Sequence, residues 1–111
     1  RLERICGGHG IRPDGETCEA MKGLIKEGEK HLNDTTAGDV RDAVLIASAN
    51  RVEHYEMAAY GAARAFAEVL DFDDDADLLS DSLDEEAAAD DTVTKIATGG
   101  MFSKGVNAAA A

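Results

Sequence analysis

Two stretches of apolar residues recur at helical spacing in the second half of the chain. The first occupies every third or fourth position over residues 45–70, and the second does so over residues 79–97. Such periodicity predicts two amphipathic α-helices. The first stretch has no internal proline and only one glycine, Gly61, so we expect a single helix over residues 39–70. A helix of that length is typical of bundles and coiled coils.

The two helices are expected to pack as antiparallel neighbours. Only residues 71–74 separate them, and a connection this short requires consecutive helices to pack side by side in opposite directions. If the chain reverses near residues 71–73, residues whose numbers sum to about 143 lie level, since both helices rise equally per residue.

The first forty residues predict shorter elements. Residues 1–6 are typical of the last turns of a helix, which the glycine-rich residues 7–10 would end. Thr17 is placed to cap a second amphipathic helix, and residues 33–38 form a polar break after it.

Residues 101–111 show little pattern, and no segment alternates as a strand does. Alanine is abundant and aromatic residues are scarce, with three Phe, two Tyr and no Trp, a mixture that suits closely packed helices. We therefore predict an all-α antiparallel bundle, with a partial helical domain over residues 1–98 and a C-terminal tail over residues 99–111.

Carboxylates interrupt both apolar stretches. Glu56 lies in the middle of the first, Glu86 and Asp90 lie in the middle of the second, and Glu53 precedes Glu56 by one turn. An unpaired carboxylate in a helical core costs several kcal/mol. In the antiparallel arrangement Glu56 is level with Glu86, and Glu53 with Asp90, so the four meet at one height. Iron and manganese suit such an oxygen-rich set, and we expect Glu53, Glu56, Glu86 and Asp90 to be the metal ligands.

Other roles remain open for these residues and their neighbours. Arg51, Arg64 or Lys95 would neutralise the carboxylates without a metal, or the bundle would splay open there. His54 lies about 100° around the helix from Glu53. That position is more typical of a surface or supporting group than of a ligand. Tyr60 is placed either to support a ligating carboxylate or, as is commoner, to pack at the bundle edge.

The charge balance excludes several classes of partner. The formal net charge of −12 disfavours nucleic acids and anionic membrane surfaces, both of which attract basic patches. No apolar run approaches the roughly 20 residues that span a bilayer. We expect a soluble, cytoplasmic protein that binds neither nucleic acid nor membrane.

Residues 71–91 hold eleven acids, nine Asp and two Glu, and no Lys, Arg or His. The first aspartates alternate as in a calcium loop, but Ala76 and Ser82 stand where that loop needs Gly and Glu, so an EF-hand is excluded. Most of these acids are expected to face solvent, favoured at the helix start by its dipole.

The two cysteines, Cys6 and Cys18, are too few to define a disulfide scaffold, although one bridge between them stays open. A zinc site that also used His9 and His31 would lack any standard ligand spacing. No nucleophile motif or phosphate-binding loop is present.

Three segments resemble one known family. They are CEAMKGLIKEG at 18–28, RVEHYEMAAYG at 51–61 and LDEE at 83–86. In order and spacing they resemble the YciE/YciF-like (DUF892) family of ferritin-like bacterial proteins, over residues 1 to about 97. The resemblance implies a four-helix bundle with added short helices, an association with bacterial stress responses, and assembly into dimers.

The resemblance also implies a ligand set. In the wider ferritin-like group, rubrerythrins place Glu-x-x-Glu on the third helix, a pattern that Glu53 and Glu56 match. Their fourth helix carries a Glu followed one turn later by His, and Glu86 and Asp90 occupy similar places here, with Asp instead of His. The implied function is a stress-associated protein with a dinuclear iron or manganese site, expected to react with oxygen or peroxide if it is redox-active. The alternative is a non-enzymatic, metal-free helical protein that works through assembly as a dimer or larger homo-oligomer.

Family members begin with one helix and most of a second that have no counterpart before Arg1. A complete bundle would need about 50 further residues upstream, which is what we expect of the native protein. Otherwise two chains complete each other as a dimer, or the chain has lost metal binding and serves as an assembly module.

The crowding of acids generates a first prediction. Raising the salt concentration from about 10 mM to about 150 mM should raise the melting temperature of the final helix by several degrees, because it shortens the range of carboxylate repulsion. Thermal melts followed by circular dichroism measure this effect, and a melting temperature that does not change with salt concentration would contradict the prediction.

Overall fold

Two long helices form the body of the molecule and run antiparallel to each other. They are α3 (Asp39–Val69) and α4 (Asp73–Thr98), in a computed structural model that describes residues 1–111. The other elements are α1 (Leu2–Gly8), α2 (Glu19–Asp34), strands β1 (Gly99–Gly100) and β2 (Ser103–Lys104), and α5 (Val106–Ala109). Helix α2 packs on α3, and α5 packs on both long helices. The predicted all-α class is confirmed.

A tight reversal joins the two long helices. Asp71 adopts a left-handed conformation with φ of 57°, which aspartate tolerates better than most residues. The Phe72 amide then donates to the Ala67 carbonyl over 2.9 Å and closes the end of α3. A turn here was expected to bring residues whose numbers sum to about 143 opposite each other. Asn50 agrees with this, because its side chain donates hydrogen bonds to both Asp90 and Thr94.

The core is thin and lies near this reversal. Its centre is Ala67, Ala76 and Leu79, with Ile5 and Tyr60 packed against it. The small alanines let α3 and α4 approach closely. Only six of the 111 residues are buried, so little of the molecule is interior.

Much of the predicted apolar seam faces solvent instead. Phe66 is 69% exposed, and Leu45 and Leu70 are about half exposed. The accessible surface is 7725 Å², against about 5,900 Å² for a compact protein of this mass. The radius of gyration is 17.3 Å, where about 13 Å is typical of 111 residues. No helix has both the length and the apolar character needed to cross a membrane.

Charged contacts hold α1 against α4. The Arg1 guanidinium donates to both carboxylate oxygens of Glu85, each over 2.6 Å. At the other end of α1, His9 Nε2 lies 2.6 Å from Asp75 Oδ2, and the His9 ring contacts the Phe72 ring at a tilt of 45°, with centroids 4.7 Å apart. These two contacts tie both ends of α1 to α4.

The cap predicted for α2 is wrong by one residue. Cys18, not Thr17, is the N-cap, and its Sγ accepts the Met21 amide at 3.4 Å. The cysteine takes this position because its side chain also meets the Tyr55 hydroxyl, so a tertiary contact outweighs the better capping propensity of threonine.

The tail is more ordered than its sequence pattern suggests. Strand β1 pairs antiparallel with β2 in a hairpin, and α5 follows. Two-residue strands are too short to show alternation, which is why no strand was predicted. Gly99 has φ of 77°, and a Cβ on the buried Gly105 would overlap the Ala97 carbonyl oxygen. Both positions therefore require glycine.

This packing predicts the effect of a single methyl group. Gly105→Ala should detach the hairpin and α5 from α4, because the added Cβ has no room, and should lower the free energy of unfolding by about 1–3 kcal/mol. Hydrogen exchange over residues 99–110 measures the detachment. Gly100→Ala is the matched control, since a Cβ there meets nothing within 4 Å. Equal protection in the two variants would contradict the prediction.

Candidate metal centre

Three glutamates converge between α3 and α4. Glu53 and Glu56 are three residues apart and therefore share one face of α3, while Glu86 approaches from α4. Each can place one carboxylate oxygen within 4.8 Å of an oxygen of both others. All three side chains are half-buried. We call these residues the glutamate triad.

The triad is electrostatically strained when no cation is present. Burial raises the pKa of Glu53, and a hydrogen bond with Glu86 and the charges of Glu86, Glu56 and Asp90 raise it further. Burial and the charge of Glu86 likewise raise the pKa of Glu56. Both effects disfavour the ionised forms of Glu53 and Glu56 when no cation balances their charge.

The basic side chains considered as neutralising partners are engaged elsewhere. Arg51 donates to the Ala47 carbonyl over 3.2 Å. Arg64 Nε lies 3.4 Å from Glu68 Oε1, and Lys95 pairs with Asp91 one turn earlier. Within the chain, no lysine or arginine forms an ion pair with the triad.

The fourth predicted ligand, Asp90, lies one turn beyond Glu86 and outside the triad. It accepts a hydrogen bond from Asn50 Nδ2 at 2.7 Å, and its Oδ1 lies 3.0 Å from Nε2 of His54, which is itself largely exposed. The negative charge of Asp90 still reaches Glu53 and contributes to its raised pKa.

Sequence reasoning missed Asn50 as a member of this neighbourhood. It precedes Glu53 by three residues and so faces the same helix, which was the available signal. His54 lies beside Asp90 and outside the triad, with its ring largely exposed.

Tyr60 plays the packing role. It packs against the Ala67, Ala76 and Leu79 core and forms no hydrogen bond with a triad carboxylate. Burial and the nearby charges of Glu56 and Glu86 raise the pKa of its phenol.

An open apolar cavity of about 360 Å³ lies beside Glu56. Its walls include Cys18 and Tyr55, whose Sγ and Oη are 2.8 Å apart. That hydrogen bond lowers the pKa of the Cys18 thiol and raises that of the Tyr55 phenol. Cys6 and Cys18 are both free thiols.

The triad fits a hard cation. It offers only oxygen donors, the preference of manganese and other octahedral ions, and it is rich in negative charge. Around an octahedral ion with bonds of about 2.1 Å, adjacent oxygens lie about 3.0 Å apart and opposite ones about 4.2 Å apart. The triad oxygens, which lie within 4.8 Å of one another, would have to move inward by side-chain rotation to reach these separations.

Comparison with known proteins identifies relatives along the whole chain. The family described as "Domain of unknown function (DUF892)" matches residues 1–111. Protein YciF of Escherichia coli strain K12 is 44% identical over 92 residues, which cover 83% of this chain and 55% of YciF. The chain thus spans about half the length of this curated relative.

Solved structures agree with that match. YcfI, a candidate structural protein from Rhodopseudomonas palustris, superposes with a TM-score of 0.81 at 38% identity, over 86% of this chain and 60% of its own. The structure described as the E. coli stress protein YciF gives a TM-score of 0.73 at 42% identity, over 77% of this chain and 54% of its own. The family resemblance expected from the three sequence segments is confirmed.

The raised pKa values predict how stability depends on pH. Because the folded state holds the Glu53 proton more tightly than the unfolded chain does, this group favours folding at acid pH. That contribution is lost as pH rises from the ordinary glutamate pKa through the raised one. Glu53→Gln should therefore be more stable than the metal-free parent near neutral pH, with a gain that shrinks on acidification.

Chemical denaturation in chelator between about pH 4 and pH 7 measures this difference. Glu29→Gln, on an exposed site of α2, is the control and should show no such trend. A stability gain that is constant across the range would contradict the prediction.

Proposed function

This chain belongs to the DUF892 family, and we propose that it is a metal-binding, stress-associated member that holds iron or manganese between α3 and α4. The observation that carries the proposal is the glutamate triad, in which three half-buried carboxylates meet without a lysine or arginine partner. Glu53, Glu56 and Glu86 are the proposed ligands.

A cation would relieve the strain in this part of the molecule. Without one, burial and mutual repulsion keep the pKa values of Glu53 and Glu56 raised. A divalent ion would favour the ionised form of all three carboxylates, because each would be attracted to the same positive centre. Metal binding is therefore expected to release protons.

The dinuclear form implied by the family resemblance needs more donors than the triad supplies. Asp90 is the proposed addition, since it follows Glu86 by one turn and has oxygen lone pairs beyond its contacts with Asn50 and His54. Asn50 and His54 would then orient it, as supporting residues do around metal ligands.

Such a metal pair would supply redox chemistry toward oxygen or peroxide. The surrounding residues would control access to it. The open cavity beside Glu56 would give small molecules a mainly apolar route to the site. Tyr60, whose raised pKa keeps its phenol protonated, would provide a nearby hydrogen-bond donor. We propose a cytoplasmic setting, since both cysteines are unpaired.

The stress-associated role rests on the relative named a stress protein, E. coli YciF. Because this chain covers only about half of that protein, the role of the whole protein is part of the proposal. Holding a redox-active metal out of solution is a function that fits such a setting.

A second candidate is structural self-association into a dimer or larger homo-oligomer. The exposed Phe66, Val69 and Leu70 favour it, together with the excess surface of the chain. Exposed apolar patches commonly mark interaction sites. The related YcfI is likewise described as a candidate structural protein. A metal centre and an assembly surface do not exclude each other.

Metal titration tests the first candidate. Manganese(II), or iron(II) without oxygen, should bind the full chain and raise its melting temperature. Glu56→Gln and Glu86→Gln should each weaken binding by more than about 100-fold, because even supporting residues of metal sites are worth 10- to 100-fold. Calorimetry measures the affinity, and metal analysis after desalting measures the stoichiometry.

Asp84→Asn is the matched control. It removes one carboxylate from the exposed face of α4, two residues from Glu86, and should leave metal affinity unchanged. If the parent chain neither retains metal nor melts higher with it, the metal function is wrong. The triad variants would then only change stability, as expected for a purely structural protein.

A further inference from the structure

The cavity beside Glu56 is bordered by four helices of this chain and not by one free helix face. All the helices from α1 to α4 contribute to its walls, among others through Leu2, Met21, Ala59 and Leu79. Glu56 is the single charged residue of the lining. The volume of about 360 Å³ lies within the range of about 300–1,000 Å³ that is typical of small-molecule sites. We call it the thiol cavity, because a cysteine also lines it.

The cysteine in the lining is Cys18, and its sulfur can be reached from solvent. Cys18 is an exposed residue with a free thiol, and it is the only thiol among the lining residues. Apolar walls next to an accessible thiol indicate a site where an apolar molecule can be held against a reactive sulfur. The cavity and the sulfur together therefore raise the question of what the thiol can react with.

Two donors stabilise the ionised form of this thiol. Cys18 is the N-cap of α2, and its Sγ accepts the Met21 amide at 3.4 Å. Tyr55 Oη lies 2.8 Å from the same sulfur, and its hydroxyl must be the donor once the thiol is ionised. Both contacts lower the pKa of Cys18, and the positive end of a 16-residue helix favours negative charge at this place. The thiolate is the nucleophilic form of cysteine.

Tyr60 supplies the second chemical group of the thiol cavity. It belongs to the same lining as Cys18. Burial and the charges of Glu56 and Glu86 raise the pKa of its phenol, so the hydroxyl stays protonated in neutral solution. The cavity therefore combines an ionisable sulfur with a group that can donate a proton.

We propose that Cys18 reduces small, uncharged organic hydroperoxides that bind in the thiol cavity. The hydrocarbon part contacts the apolar walls, and the O–O group lies at the sulfur. The thiolate attacks the terminal oxygen, so that an S–O bond forms, the O–O bond breaks and an alkoxide leaves. The alkoxide takes a proton from Tyr60, which regains one from water. The products are a sulfenic acid at Cys18 and an alcohol.

The reaction transfers two electrons from the sulfur to the hydroperoxide. Turnover requires a soluble thiol as the reductant. Two molecules of that thiol convert the sulfenic acid back to the Cys18 thiol, and they yield one disulfide and one water. No metal takes part in either step, so this inference goes beyond the proposed function and is independent of the glutamate triad.

The lining and the charge of the chain select among oxidants. An anionic hydroperoxide is disfavoured by Glu56 and by the net charge of −12. Hydrogen peroxide is small and polar, so it gains little from apolar walls. A neutral hydroperoxide with a compact apolar group, such as cumene hydroperoxide, gains from leaving water for the cavity and meets no repelling charge.

The first test measures the reaction of the full chain in chelator. Cumene hydroperoxide should convert Cys18 to a sulfenic acid, which dimedone traps and peptide mass spectrometry locates. With each rate divided by that of free cysteine, cumene hydroperoxide should react about tenfold or more faster than hydrogen peroxide, because an apolar pocket discriminates by about that much. Cys18→Ser should abolish the reaction, and Cys6→Ser, the matched control, should retain it. Equal normalised rates for the two peroxides would overturn the inference.

The second test changes the cavity and the donor separately. Ala59→Leu fills the cavity and should slow cumene hydroperoxide more than hydrogen peroxide, whereas Ala62→Leu, exposed on α3 and outside the lining, should change neither rate. Tyr55→Phe removes a donor to the sulfur, so the pKa of Cys18 should rise, and the rate should fall near neutral pH and recover at alkaline pH. A loss that alkaline pH does not restore would contradict this role of Tyr55. Circular dichroism confirms that each variant is folded.

The remaining outcomes separate this inference from the metal function. Peroxide reduction that disappears in chelator and survives in Cys18→Ser belongs to the metal centre, so it overturns this inference and supports that function. Oxidation of Met21 alone, to its sulfoxide, shows that the hydroperoxide enters the cavity without reacting with the thiol, which also overturns the inference. A reaction that depends on Cys18 in a chain that binds no metal supports this inference and leaves the metal function wrong.

Discussion

Repulsion among carboxylates inside a helix interface is the constraint that shapes this molecule. Glu53 and Glu56 project from α3 toward Glu86 on α4, at a place where two packed helices would ordinarily meet through apolar groups. Burial and the neighbouring carboxylates raise the pKa of Glu53, and the cluster is tolerated because its side chains are only half-buried. The cation that we propose here would offset this penalty.

The neighbourhood of the triad adds to its chemical character. Asn50 and His54 hold Asp90 one turn away, so a fourth carboxylate is kept in a defined orientation. On the other side, Glu56 borders an open, mainly apolar cavity, which Tyr60 also lines. Basic residues pair along their own helices and leave this interface without a compensating cation.

Thin packing is the second constraint. With six buried residues, the chain keeps α3 and α4 together through small alanines near the reversal and through ionic contacts from α1. Much apolar surface is left exposed, both around the reversal and at the turn of the C-terminal hairpin.

The sequence by itself determined the helices, their antiparallel register and the height at which the carboxylates meet, because helical periodicity and a short connection are local properties. It also determined the family. Only the tertiary structure decided which acids converge. The side chain of Asp90 lies outside the triad and contacts Asn50 and His54 instead. The tertiary structure likewise decided that Cys18 caps α2, that glycines fold the tail back on α4, and that Phe66 and Leu70 lie in solvent. Each of these features depends on contacts between residues that are far apart in the sequence, and local residue spacing does not predict such contacts.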